Sequence, residues 1–187
     1  MDDAAPLTGE PLALDLVNTL TAAGDLLATP DDLRKWQQLQ ADRLPDAPPE
    51  DALDAVRTVR EHTKRALDRV REGKRPDPAD LDALNDAQLA APAIKALTWD
   101  GKALIAANRR TGPPASRLAA HLAEAATELL ADPAVTKIRQ CEADDCVMLF
   151  LPAHPRRRWC SPARCGNRVR VARHYQRHKL DEKDPAQ

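Results

Sequence analysis

Apolar residues recur at three- and four-residue steps along most of this chain, and the rhythm breaks at proline and glycine. Leu12, Leu16 and Leu20, widened by Leu14 and Val17, predict a first helix over 12–20 whose apolar face is interrupted by Asp15 and Asn18. Thr29-Pro30-Asp31-Asp32 reads as a cap, a first-position proline and two acids in the first turn of a second helix that ends near Trp36, an expected core residue. Pro45 to Pro49 is a break. Leu53, Val56, Val59, Thr63, Leu67 and Val70 then predict a long helix over 50–72, stopped by Gly73 to Pro76. Asp77 caps a shorter helix over 78–90 with Leu81, Leu84 and Leu89 as its apolar contacts. There the period changes: Ile94 to Trp99 and Ala103 to Ala106, joined through Asp100-Gly101, predict a β-hairpin. Leu118, Leu122, Ala125 and Leu129 restore the helical period over 114–131. Val135 to Gln140 and Val147 to Leu151 read as short strands, and Ser161-Pro162 opens a last helix reaching His178. The fold class is mainly α with small β elements (α+β). A helical domain with a hairpin occupies 1–134, a strand-turn-helix module 135–180 and a tail 181–187.

Composition supports this division. With 187 residues, 43% hydrophobic and 30% charged, the chain can build one real core, while an appendage of about fifty residues usually needs a metal or a partner to stay folded. No apolar run long enough for a membrane span occurs. The opening Met-Asp-Asp-Ala-Ala-Pro lacks a basic start and an apolar run, which predicts a cytoplasmic chain with reduced thiols. The net charge of −1 conceals polarity: residues 137–179 carry eleven Lys and Arg against three Asp and Glu, whereas residues 1–136 carry a formal −7. A basic segment of that kind favours a polyanion, unless it serves only to solubilise the module or to face the acidic domain.

The chain's four cysteines all lie in that basic segment, as two C-x4-C pairs, Cys141 with Cys146 and Cys160 with Cys165. Two such pairs can set four thiolates around one tetrahedral ion, so a single structural zinc is the expected cofactor; disulfides and buried or redox-active cysteines are the competing accounts. A mixed site using His174 and His178 fails on distance, because about 13 Å of helical rise would separate Cys165 from His174. Four sulfurs close the coordination shell, and no nucleotide-binding, metalloprotease or nucleophile-elbow motif is present, so an enzyme is not expected. Arg170, Arg173 and Arg177 share a helical face opposite an inward stripe of Cys165, Val169 and Ala172, and with Arg156, Arg157 and Arg158 they are the candidates for nucleic-acid contact. Arg168 and Asn167, beside Cys165, suit either nucleic acid or a hydrogen bond to the zinc loop. Asp15 and Asn18 either satisfy nearby backbone or, with Trp36, line a small-molecule pocket. His62 and His121 read as surface residues.

Cys165-Gly166-Asn167-Arg168, preceded by Trp159-Cys160-Ser161 and the upstream cysteine pair, resembles the CGNR zinc finger family of bacterial proteins. Pro11 to Thr19 and Asp25 to Trp36 are similar to the opening of the helical ABATE domain that accompanies that finger. The resemblance implies a transcription regulator. DNA is then the expected partner, with the helical domain answering a small-molecule effector or forming a homodimer, and no membrane involved. An RNA-binding or protein-interaction module is the alternative, and a metal-thiolate redox switch a third.

Overall fold

A computed structural model describes the backbone of residues 6–44 and 50–181; the predicted break at Pro45 to Pro49, the first five residues and the tail beyond 181 lie outside the described residues. Among the described residues six α-helices, α1 (Leu12–Val17), α2 (Pro30–Gln38), α3 (Leu53–Arg71), α4 (Pro78–Leu89), α5 (Pro114–Ala131) and α6 (Asn167–Asp181), are joined by three small antiparallel sheets. These sheets are β1 (Leu20–Thr21) with β2 (Gly24–Asp25), β3 (Ala93–Trp99) with β4 (Leu104–Arg110), and β5 (Arg139–Gln140) with β6 (Leu149–Phe150). No helix among the described residues is long and apolar enough to cross a membrane.

Local chemistry explains most boundaries. Thr29 and Asp32 form the reciprocal capping box at the start of α2, and the Asp77 side chain accepts from the Ala79 amide ahead of α4. The first helix stops at Val17 rather than at Leu20, because Asn18 closes it and the chain turns at once into β1. The hairpin loop spans Asp100 to Ala103, longer than a two-residue turn: the Asp100 carboxylate accepts from the Lys102 and Ala103 amides, and Gly101 takes a φ of 101°. Strand β4 accordingly begins at Leu104 and runs four residues beyond the expected Ala106. The strand expected over 135–140 is instead a 3-10 turn, Pro133–Lys137, capped by Asp132, and only Arg139 and Gln140 pair with β6.

Helices α1, α3, α4 and α5 enclose the main core, with Trp36, Leu16, Leu27, Val56, Leu67 and Leu122 buried in it. Arg60 of α3 is also buried, its guanidinium held by both carboxylate oxygens of Asp25 at 2.6 and 2.7 Å and by Thr19 Oγ1 at 2.9 Å. Val135, Ile138 and Leu149 belong to the same core, so the C-terminal module is seated on the helical domain and not strung beyond it.

Candidate metal centre and nucleic-acid interface

Each cysteine pair is shaped by its own tight turn. Between Cys141 and Cys146 the Cys146 amide donates to the Ala143 carbonyl, and Asp145 takes a φ of 60°, the left-handed conformation that a short polar side chain tolerates. Between Cys160 and Cys165 the backbone forms a wide π turn over Pro162–Gly166, opened by Ser161, whose Oγ accepts from the Arg164 amide at 3.3 Å. The Gly166 amide donates to the Ser161 carbonyl five residues back, at 3.0 Å. A five-residue step is that of a C-x4-C pair, so the wide turn returns Cys165 beside Cys160 where an α-helical turn would rotate it away.

The four Sγ atoms all lie within 4.8 Å of one another, with Cys146 to Cys160 at 3.9 Å, Cys160 to Cys165 at 3.5 Å and Cys165 to Cys146 at 3.7 Å. A tetrahedral zinc with bonds of about 2.3 Å separates its sulfurs by about 3.8 Å. The donor set fits one structural zinc ion. Burial, reinforced by the neighbouring cysteines, pushes the Cys160 thiol up, and burial pushes Cys165 up to about 12. Several thiolates cannot share so small a volume on their own; a divalent cation is what lets all four ionise. Phe150 and the half-buried Trp159 and Val169 pack around the sulfurs. Gly166 is required here, since a Cβ at that position would lie 2.9 Å from Trp159 Cδ1.

The arginines around this centre have separate tasks. Arg168 donates to Cys165 Sγ at 3.5 Å and to the Asp144 carbonyl at 3.4 Å, the outer contact that orients a metal ligand. Arg157 turns inward: it lies 4.5 Å over the Phe150 ring, donates to the Cys160 carbonyl at 2.6 Å and pairs with Glu10 at 2.5 Å. Of the basic triplet it is therefore the one most tied to the protein, and it still lines the groove beside the cysteines. Arg158 stacks on Trp159 at 4.7 Å and donates to Glu142 at 2.6 Å, while Arg156 is exposed. Arg158, Arg170 and Arg173 flank a groove of about 710 Å³ floored by Trp159, Pro162 and Val169. The side chain of Arg177 lies outside the described residues. The inward stripe of α6 ends at Val169: Ala172 is exposed, as are Val171 and Tyr175.

Asp15, Asn18 and Trp36 are all buried, and Asp15 and Asn18 are engaged by protein groups. Trp36 is core, as its place in the helical period predicts. Asp15 is buried beneath the Gly9 and Glu10 amides, Gln40 and Arg43, and burial raises its carboxyl above the ordinary value despite the Arg43 ion pair. Asn18, 1% exposed, holds the module: its Nδ2 donates to the Leu149 carbonyl and its Oδ1 accepts from the Leu149 amide, both at 2.8 Å. Alternate residues of a strand point their amides to opposite edges, so Asn18 serves the edge of β6 that β5 leaves open. Glu10 continues that edge by accepting from the Leu151 amide at 2.9 Å while pairing with Arg157. Glu10 was not legible as a site residue, for its partners stand 141 and 147 positions away. Arg60 had a signal, sitting four residues after Val56 and three before Thr63 on the apolar face of α3. His62 is likewise not a free surface group, its Nδ1 lying 2.8 Å from Asp80; His121 is half-buried with Nε2 at 2.9 Å from the Arg43 carbonyl.

Comparison with known families agrees with this geometry. The ABATE family, described as "Putative stress-induced transcription regulator", matches residues 10–133. The chain belongs to the ABATE family. The CGNR zinc finger follows it over residues 137–178 and takes in all four cysteines. No curated relative matches this ABATE protein. Within the ABATE match lie Glu10 and Asn18, and within the finger lie Leu149, Leu151 and Arg157, so the two matched regions meet through the edge of β6.

Proposed function

We propose that this ABATE protein is a cytoplasmic, non-catalytic transcription regulator whose zinc module grips DNA, with the helical domain receiving a signal or pairing two copies. The observation that carries the reading is the groove beside the zinc, where Arg158, Arg170 and Arg173 surround an apolar floor on a module of strongly positive formal charge. Zinc stiffens one wall through Cys160 and Cys165, and the other wall is α6, so the guanidinium groups are presented from a fixed frame. Phosphate contact by arginines of this kind positions a duplex, and bidentate contact with guanine supplies sequence preference. Four-sulfur coordination leaves the zinc no open position for a substrate, which supports a structural and not a catalytic ion.

Fluorescence anisotropy with the zinc-loaded full chain tests the reading, using duplex DNA, single-stranded RNA and two salt concentrations. Duplex binding that weakens with salt is expected, and Arg170→Ala with Arg173→Ala should weaken it across sequences and reduce the salt slope by about one for each phosphate no longer neutralised. Selection of bound genomic fragments would then give the operator. Trp159 in the groove floor favours a second reading, in which an unpaired base stacks there; preference for single-stranded RNA would select it. Binding to neither nucleic acid would overturn both in favour of a protein partner.

A further inference from the structure

The β3–β4 hairpin is used by neither the zinc centre nor the helical core. Its strands pair with each other from Ala93↔Arg110 to Trp99↔Leu104, and the arm is tied to the molecule at its base, where Arg110 reaches Glu124 and the Ala91 carbonyl. Two strands alone are marginally stable in water, and this pair carries an apolar load. Strand alternation places Leu97, Trp99, Leu104 and Ala106 on one face near the tip. Leu97, Trp99 and Leu104 are 69%, 64% and 68% exposed. Scattered exposed apolar residues are ordinary, but three large ones facing the same way on one arm make a patch that marks an interaction surface.

Toward its base the same face turns onto the molecule. Arg110 pairs with Glu124 of α5, and Asn108 lines a groove of about 500 Å³. That groove has an apolar floor including Leu12, Leu129 and Leu151, and an acidic rim of Glu124, Glu128 and Asp132. The hairpin's exposed charges are of opposite sign, Lys95, Lys102 and Arg109 against Asp100. Apolar tip and cationic flanks thus match apolar floor and acidic rim. A hairpin's own tip cannot fold back into this groove, because the base of the arm already supplies part of its wall through Asn108.

We propose that the hairpin arm docks in the acidic-rimmed groove of a second copy of this chain, giving a twofold dimer with exchanged arms. Each copy carries both halves of the contact, so two copies can exchange arms about a twofold axis and close the assembly. Leu97, Trp99 and Leu104 lose their exposure against Leu12, Leu129 and Leu151 of the other copy, while Lys95, on the same face of the arm, lies toward the acidic rim of Glu128 and Asp132. This deepens the pairing half of the function proposed above and is independent of nucleic-acid binding.

Sedimentation of the zinc-loaded full chain over a range of concentrations tests the proposal, with circular dichroism confirming that each variant keeps its helix content. The wild-type chain should sediment as a dimer. Leu97→Asp combined with Trp99→Asp should raise the dissociation constant at least about thirtyfold, as loss of a central aromatic anchor does. Glu128→Arg and Lys95→Glu should each raise it a few fold, roughly, and their combination should recover part of the loss. A wild-type chain that stays monomeric, a dimer undiminished by the tip variant, or a combined charge variant weaker than either single one overturns the arm exchange. A chain that dimerises as described yet binds no nucleic acid leaves this inference standing and overturns the reading of the zinc module.

Discussion

Replacing Asn18 by leucine would show how much the zinc module depends on the helical domain beneath it. The side chains are close in size, so the substitution leaves no large cavity, and its cost comes from polar groups. Both functions of the Asn18 amide are engaged with Leu149, each at 2.8 Å, in a place where Asn18 is 1% exposed and Leu149 is itself buried. Leucine would strand the Leu149 amide and carbonyl together. An unpaired buried polar group costs about 1–3 kcal/mol, so the pair is worth about 2–6 kcal/mol, a large share of the roughly 5–15 kcal/mol that holds a domain folded. Glu10 remains on Leu151 and Arg157, so the module should stay attached but loosened. The assay is urea unfolding of the zinc-loaded chain, with tryptophan fluorescence and zinc capture by a chromogenic chelator followed in parallel. In the wild-type chain the two transitions should coincide. In Asn18→Leu both should fall to lower urea, with zinc released before the helical domain unfolds. A loss below about 0.5 kcal/mol with coincident transitions would refute the idea that this edge contact joins the two parts.

Further substitutions and zinc removal probe other parts of the molecule. Gly166→Ala should drive a methyl group against Trp159, costing about 1–3 kcal/mol and shifting tryptophan fluorescence, with zinc still bound at one per chain by elemental analysis. Asp25→Asn should cost about 2–3 kcal/mol at neutral pH, because it strips the buried Arg60 of its counter-charge. The hydrogen bond from Arg60 holds the Asp25 carboxyl below its ordinary value, so its stabilisation is present above pH about 4 and lost as pH falls through the lowered value; melting curves of variant and wild type should therefore converge in acid. Chelation of zinc, or Cys165→Ser, should loosen the C-terminal module and raise hydrogen exchange there while α3 to α5 stay protected. Zinc should be held less tightly as pH falls, since protons compete for sulfurs such as Cys165, whose thiol is pushed up to about 12.

Much of this molecule is legible along the chain because the signals are local. A helical stripe such as Leu118, Leu122 and Leu129 repeats within a few residues, the caps at Thr29 and Asp77 act within one turn, and each cysteine pair needs only a five-residue step to set its own turn. Even Gly166 could be marked from its motif, although only the indole of Trp159 against it shows why no side chain fits.

What the chain determined by itself is therefore most of the helices and the long hairpin, the four zinc ligands and the positive sign of the module's charge; the 3-10 turn at Pro133–Lys137 and the β1–β2 pair were not among them. Tertiary structure decided the destination of each buried polar side chain. Asp15 and Asn18 look alike as polar breaks in an apolar helix face, yet one answers Arg43 and the other the edge of β6, 131 residues away. Arg156, Arg157 and Arg158 are equivalent as text, and it takes Phe150, Glu10 and the carbonyls of Cys160, Trp159 and Leu151 to draw the middle one inside. The reason is physical: a buried donor or acceptor must find a partner wherever the packed chain brings one, and that choice leaves no period in the sequence.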